Sequence, residues 1–389
     1  MYCLNNGGKF IVTARDEFVI DYDKNNLLNR IKDFCYPINS DDYIRSKYFS
    51  SKKSGKYLSG DTRGWKLSDA RIKIKDENHA EIIKDILYRP FDIRSIYYHP
   101  KMVDWGRENV MAHFLKKDNL GLVTCRQSSS DTWMHSFITN KIVDDSMVSN
   151  KTKERGYCFP LYLYSNSTQP NLLIQETRKS NIPKDFIIIF SRTILLKFVP
   201  EGIGDLEKTF GPESVFYYAY AIFHSPTYRL RYAEQLKIDF PRLPLTSDKE
   251  LFKKLVAKGN ELVNLHLLGE NPFDKSKTIF DDYKEWHTQA VTEKRQEIDW
   301  KVIDVRYDEK NRRVYINEGQ YFTGIDKEVW QFLIGGYQVC EKWLKDRKKA
   351  ERSLSADDLK HYMKIIVAIR ETIRIMKEID KLITKWPVE

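Results

Sequence analysis

Two short stretches carry side chains suited to meeting a nucleic acid. "TCRQSSS" (124–130) places Arg126, Gln127 and Ser128 where a strand-like run gives way to a polar loop. Arginine can donate a pair of hydrogen bonds to the O6/N7 edge of guanine, and glutamine can pair with the N6/N7 edge of adenine. "SNKTKERG" (149–156) is a basic loop between two strand-like runs. There Lys151, Lys153 and Arg155 are spaced to hold phosphates or to enter a groove. "DWGREN" (104–109) adds Arg107 at a predicted helix start. "LYRPFDIRSIYYHP" (87–100) sets Arg94 and Tyr98 among apolar residues, where they serve either phosphate contacts or internal ion pairs. Each segment alone reads as an ordinary charged loop, but together they form a basic, hydrogen-bonding surface.

Catalytic patterns are thinner. Asp304 and Asp308-x-Lys310 have the residue types of a metal-dependent nuclease, in which two carboxylates hold Mg²⁺ and a lysine assists. Asp308 also falls in "DEKN", a predicted hairpin turn where acids are expected for local reasons. Ser128–Ser130 near His135 has the types of a nucleophile and base, yet a polar loop accounts for it. The eight histidines are scattered and include no HExxH pair. The five cysteines, at 3, 35, 125, 158 and 340, form no CxxC and no disulfide framework, which suits a reducing cytoplasm. No phosphate-cradling GxxxxGK[ST] and no glycine-rich dinucleotide fingerprint is present. Gly202-Ile-Gly204 and Asn271-Pro272-Phe273 read as turns; the latter is one proline short of the amino-methyltransferase motif. The expectation is a chain with no catalytic residues, no metal site and no cofactor.

Composition agrees with a polyanionic partner. Lys and Arg number 65 against 55 acids, giving a net charge of +10, a balance that favours nucleic acid. A 41% hydrophobic content is enough for substantial cores, and 389 residues imply two or three domains. The first residues lack the pattern of a signal peptide, and runs such as "FIIIF" (186–190) are too short to span a membrane. The chain starts close to an apparent strand, which reads as a cut from a longer polypeptide.

The elements that must position these groups follow from periodicity. Residues 9–23 read as a strand pair and 25–36 as a helix with Leu27, Leu28, Ile31 and Phe34 on one face. A short helix and a basic loop follow; from Tyr43 to Lys66 there are seven cations and one acid, Asp61. A helix is predicted over 78–88. Short strands dominate from 91 to 200, including "FDIRSIYY", "LGLVTCRQ", "YCFPLYLY" and "DFIIIFSR", with one helix near 108–115. Phe91, Ile93 and Ile96 suggest a strand packed on one face. Residues 213–236 are helical and broken at Ser225-Pro226. "IDFPRLPLT" (238–246) is a rigid connector, after which Ser247 and Glu250 suggest a capping box for a helix to about Leu268. Residues 299–319 read as a hairpin turning at Asp308–Arg312. Ser355-x-x-Asp358 opens a long last helix, with Leu359, Tyr362, Ile366, Ile369, Ile373, Met376 and Ile379 at packing spacing.

Four longer stretches resemble a known family. These are "LYRPFDIRSIYYHPKMVDWGRENVMAHFL", "FITNKIVDDSMVSNKTKERGYCFPLYLY", "AIFHSPTYRLRYAEQLKIDFPRLPLT" and "YQVCEKWLKDRKKAERSLSADDLKHYMKIIVAIRETIRIMKEID". They resemble the C-terminal part of Type ISP restriction-modification enzymes, single-polypeptide relatives of Type I systems. "DFPRLPLTSDKELFKKLVAKGNELVNL" is also similar to the connector and helix after recognition domains in Type I specificity subunits and Type IIG enzymes. The resemblance implies an α+β fold with a β-rich target recognition core, a mainly helical C-terminal part with a long terminal helix, and an inserted β-hairpin. It implies residues 1–88 as a linker and helical region after an adenine-N6 methyltransferase, 89–246 as the recognition core and 247–389 as the helical region. The implied partners are double-stranded DNA, clasped between two lobes, and the methyltransferase domain of the same polypeptide, with no membrane. S-adenosylmethionine, ATP and Mg²⁺ would serve the parent enzyme, not this chain. The remaining readings are a Mg²⁺-dependent nuclease fragment and a structural scaffold for the methyltransferase.

Overall fold

Two four-stranded sheets are tied together by the same pieces of chain. The computed structural model describes residues 2–50, 56–115, 118–149, 154–165, 178–282, 286–293 and 299–388. In the first sheet the strands Gly8–Lys9, Gly156–Pro160, Gly121–Cys125 and Ser136–Thr139 lie side by side, all antiparallel. In the second the order is Ile20–Asp21, Asp92–Tyr97, Ile83–Arg89 and Ile142–Val143, the last pairing in parallel. The N-terminal segment and the 136–143 segment each contribute to both sheets, so neither sheet can move far without the other. A third sheet, ordered 290–292, 320–322, 313–315 and 306–308, holds the predicted hairpin. The molecule is α+β, as expected.

Helices form the other layer. Every residue of Pro212–His224 is buried, as a helix apolar all round must be. It packs against Lys249–His266 and the 27-residue helix Ala356–Leu382. The approach of the first two is close enough that a Cβ on Gly259 would lie 1.8 Å from the Tyr217 carbonyl oxygen. Ser355 and Asp358 cap the last helix reciprocally. The break at Ser225 is also present; its hydroxyl accepts from the Tyr228 N–H to start Pro226–Arg231.

Several expectations are corrected. "DFIIIFSR" is not a strand but part of the helix Lys184–Ile194. Phe186, Phe190 and Ile194, spaced by four, face inward while Ile188 and Ile189 are exposed. A short apolar run does not distinguish these states by itself. The predicted 78–88 helix ends at Ile82, and Ile83–Arg89 is a strand. Residues 9–23 do not pair with one another; their two short strands belong to different sheets around the helical turn Asp16–Val19. The helix after the proline connector is capped by Asp248, whose carboxylate accepts from the Glu250 and Leu251 N–H groups, not by Ser247.

The Arg-Pro-Phe-Asp stretch closes the hairpin between 83–89 and 92–97. Pro90 pre-sets the turn, and Phe91 takes a left-handed φ of 60°. Its ring packs edge-on against Phe137 and His266, and its carbonyl meets His361 Nε2 at 2.7 Å. Phe91 thus fills the core from the turn, while Ile93, expected on the packed face, is exposed. Asp92 is buried and accepts from Arg94 at 2.7 Å and from Arg347 at 2.8 Å. Arg94 lies over the rings of Tyr22 and Tyr88, and Arg347 over Trp343. Asp92 and Arg94 therefore join the second sheet to the helix Val339–Lys349 through Arg347 and Asp346.

Candidate nucleic-acid interface

The first sheet brings the two predicted loops together. Cys125 pairs with Gly156 at the end of adjacent strands. One step beyond that last pair stand Arg126 and Arg155, both exposed. Gln127 is exposed beside them. The loops are braced from below, where the Glu154 carboxylate accepts from the Ser129 N–H at 2.7 Å. Burial opposes ionisation of Glu154, but His135, the Ser129 N–H and the Ser128 hydroxyl hold its carboxyl at about 2.

Arg126 is 62% exposed along its side chain, with its Nε 3.3 Å from Asp239. Tyr2 donates its hydroxyl to Asp239 at 2.5 Å, and Arg242 lies 3.7 Å from it. The Tyr2 bond, with Arg126 adding, holds the Asp239 carboxyl below its ordinary range. So exposed an ion pair is screened by water and worth about 0–1 kcal/mol. A guanidinium held so lightly can exchange its carboxylate for another acceptor.

Arg155 belongs to a second cluster that the sequence did not reveal as one. Burial pushes the Asp145 carboxyl up, opposed by the positive charges of Arg155, Arg107 and Lys9. Asp145 thus lies within the electrostatic reach of three cations and of Asp16. The Phe10 ring lies against Gly156, where a Cβ would come within 1.7 Å. The Phe10 carbonyl accepts from Arg107 Nε at 3.4 Å. Arg107 has a left-handed φ of 59° and packs its guanidinium 4.9 Å from the exposed Trp105 ring. Trp105 also borders a polar cleft with Arg63, Lys66, Lys73 and Lys101. Part of the predicted basic stretch 43–66 therefore adjoins this surface. Lys9, Trp105 and Arg242 were missed because nothing in "GGKF", "VDWG" or "FPRL" marks a site; only the fold gathers them.

Not every expected contact faces outward. Arg94 is inside, in the ion pairs with Asp92 and Asp346 already part of the fold. Its place is the internal alternative, because neighbouring rings and carboxylates enclose it. Ser128 is 7% exposed. Its N–H donates to the Lys237 carbonyl and its hydroxyl accepts from the Ser130 N–H, so it shapes the loop from within. Lys151 and Lys153 lie outside the described residues. Asp308 accepts from the Asn311 main chain and side chain at the hairpin turn, while Asp304 is exposed beside Lys348. The turn chemistry accounts for Asp308. Among the described residues, no helix is long and apolar enough to cross a membrane.

A family model, the Type ISP C-terminal specificity domain, matches residues 5–378. No curated protein matches the chain. Three solved structures share the fold. One is a nuclease-deletion mutant of the Type ISP restriction-modification enzyme LlaGI in complex with a DNA substrate mimic. It is 17% identical, with a TM-score of 0.65, over 100% of this chain and 33% of that one. The ATP-dependent Type ISP enzyme LlaBIII bound to DNA is 17% identical, with a TM-score of 0.66, over 100% and 24%. DrdV, in a complex with DNA, is 19% identical, with a TM-score of 0.68, over 97% and 36%. The chain therefore spans roughly a third or less of the length of the two Type ISP enzymes.

Proposed function

The chain belongs to the family of Type ISP C-terminal specificity domains, and on that premise we propose that it recognises a specific sequence in double-stranded DNA. It directs a methyltransferase and a nuclease carried on the same, longer polypeptide. The observation that carries this reading is the pairing of Cys125 with Gly156, which sets Arg126, Gln127 and Arg155 at one exposed sheet end. Arg126 and Gln127 read base edges, since each can make a bidentate contact that discriminates by about 1–3 kcal/mol. Arg155, Arg107 and Lys9 hold phosphates, joined by Lys151 and Lys153, because clustered cations suit a charged backbone. Residues 89–246 form the recognition core, 1–88 lead in from the methyltransferase, and 247–389 buttress the core. The chain itself performs no catalysis; S-adenosylmethionine, ATP and Mg²⁺ serve the rest of the polypeptide.

The test is selection from a random duplex library, with the chain alone and within its longer polypeptide. The expected result is enrichment of one motif, relaxed at a single base pair by Arg126→Ala or Gln127→Ala. Enrichment of no motif by either form refutes the reading and leaves the scaffold alternative. A Mg²⁺-dependent cut by the chain alone would favour the nuclease alternative.

A further inference from the structure

Beneath the Arg126–Ser130 loop, three side chains converge from three places in the sequence. Cys125 ends one strand, His135 precedes the next, and Glu154 lies just before the third. The cysteine sulfur, an imidazole nitrogen and a carboxylate oxygen lie within 4.8 Å of one another. Their exposures are 0%, 2% and 9%. His135 Nε2 stands 2.5 Å from Glu154 Oε2, but the two are not aligned as a hydrogen bond. Among the described residues, His135 Nδ1 has no hydrogen-bond partner, and His135 Nε2 and that carboxylate oxygen meet only each other. Buried polar atoms so poorly satisfied are uncommon and unfavourable, and the convergence of all three groups suits a ligand that accepts an electron pair from each.

We propose that Cys125, His135 and Glu154 bind a single divalent transition-metal ion of the zinc class. One thiolate, one imidazole and one carboxylate suit such an ion. With metal–ligand bonds of about 2.0–2.3 Å, tetrahedral donors stand roughly 3.3–3.8 Å apart. Opening the His135–Glu154 contact by about 1 Å reaches that spacing through side-chain rotation. Charge balances as well. On binding, the Cys125 thiol proton and any imidazolium proton of His135 are released to solvent, and thiolate plus carboxylate neutralise the ion. A neutral assembly avoids the desolvation cost of an unpaired buried charge. A water completes the tetrahedron.

Such an ion would fasten both ends of the 126–134 loop to the segment Glu154–Arg155 that leads into the strand Gly156–Pro160. This consequence for DNA selectivity rests on the proposed function; the metal site itself does not. The test uses the full 389-residue chain, stripped with chelator and titrated with Co²⁺. The expected result is one equivalent bound, with tetrahedral d–d bands and a thiolate-to-cobalt charge-transfer band. Cys125→Ser should abolish the charge-transfer band, His135→Gln should weaken binding, and Cys340→Ser should change neither. No cobalt absorption in the wild-type chain overturns the proposal, and needs no variant to fold. A folded Cys125→Ser chain that keeps the charge-transfer band overturns it too. A bound ion whose removal leaves DNA selectivity unchanged upholds the site and refutes its role in fixing the loop.

Discussion

Replacing Asp92 with alanine should be among the most destabilising single changes in this protein. Asp92 is 1% exposed and is the shared partner of Arg94, at 2.7 Å, and Arg347, at 2.8 Å. The Arg94 and Arg347 side chains are themselves 11% and 5% exposed. Arg94 keeps a weaker contact with Asp346 at 3.6 Å, and aromatic faces cover both cations. Among the described residues, Arg347 has no other carboxylate among its ion pairs, and its Nε lacks a hydrogen-bond partner. Removing one member of a buried pair costs about 3–5 kcal/mol, chiefly because a buried charge is left uncompensated. Against a total stability of about 5–15 kcal/mol, that is a large fraction. Urea unfolding followed by tryptophan fluorescence should show it, since Trp343 lies 3.6 Å from the Arg347 guanidinium. The double variant Asp92→Ala/Arg347→Leu should lose less than the sum of the two single changes, because it removes the stranded charge together with its partner. A loss under about 1 kcal/mol for Asp92→Ala, or strict additivity in the cycle, would refute the reasoning.

Three further outcomes follow from the same structure. Burial opposes ionisation of Asp92, but Arg347 and Arg94 overcome it and hold the carboxyl far below its ordinary range. Its contribution is therefore present above an unfolded pKa of about 3.9 and is lost as pH falls below that, so urea midpoints from pH 7 to pH 3 should fall more steeply for wild type than for Asp92→Ala. Gly259→Ala should cost about 1–3 kcal/mol and lower Tm, because its Cβ would press on the Tyr217 backbone; Gly64→Ala, with open space around it, is the control. Arg155→Ala should weaken binding to all duplexes alike and reduce the salt slope by about one unit in titrations at several salt concentrations, whereas a change in sequence preference would reassign it as a reading residue.

The sequence by itself determined the broad fold and the family, and it raised the expectation of a polyanionic partner. Its charge balance and interleaved cations pointed to a polyanion. Local signals that need no distant contact were also legible, namely the Ser355 cap, the Ser225-Pro226 break and the turn at Asp308–Arg312. Helix 184–194 was misread because its apolar run is too short for period to separate helix from strand, and only the inward set of Phe186, Phe190 and Ile194 decides it. The helix expected over 78–88 stops at Ile82, and the chain from Ile83 is a strand because pairing with 92–97 overrides local helix preference. The tertiary structure alone decided which charges face solvent. Arg94 and Arg126 are the same residue type in similar strand-like contexts. Yet Arg94 is enclosed by a carboxylate that also serves Arg347, 255 positions from Asp92 in the chain, while Arg126 emerges at a free sheet end. Likewise Cys125, His135 and Glu154 have no motif spacing, and strand register alone brings them together. Burial and pairing are properties of distant neighbours, and a linear pattern carries them only where those neighbours are local.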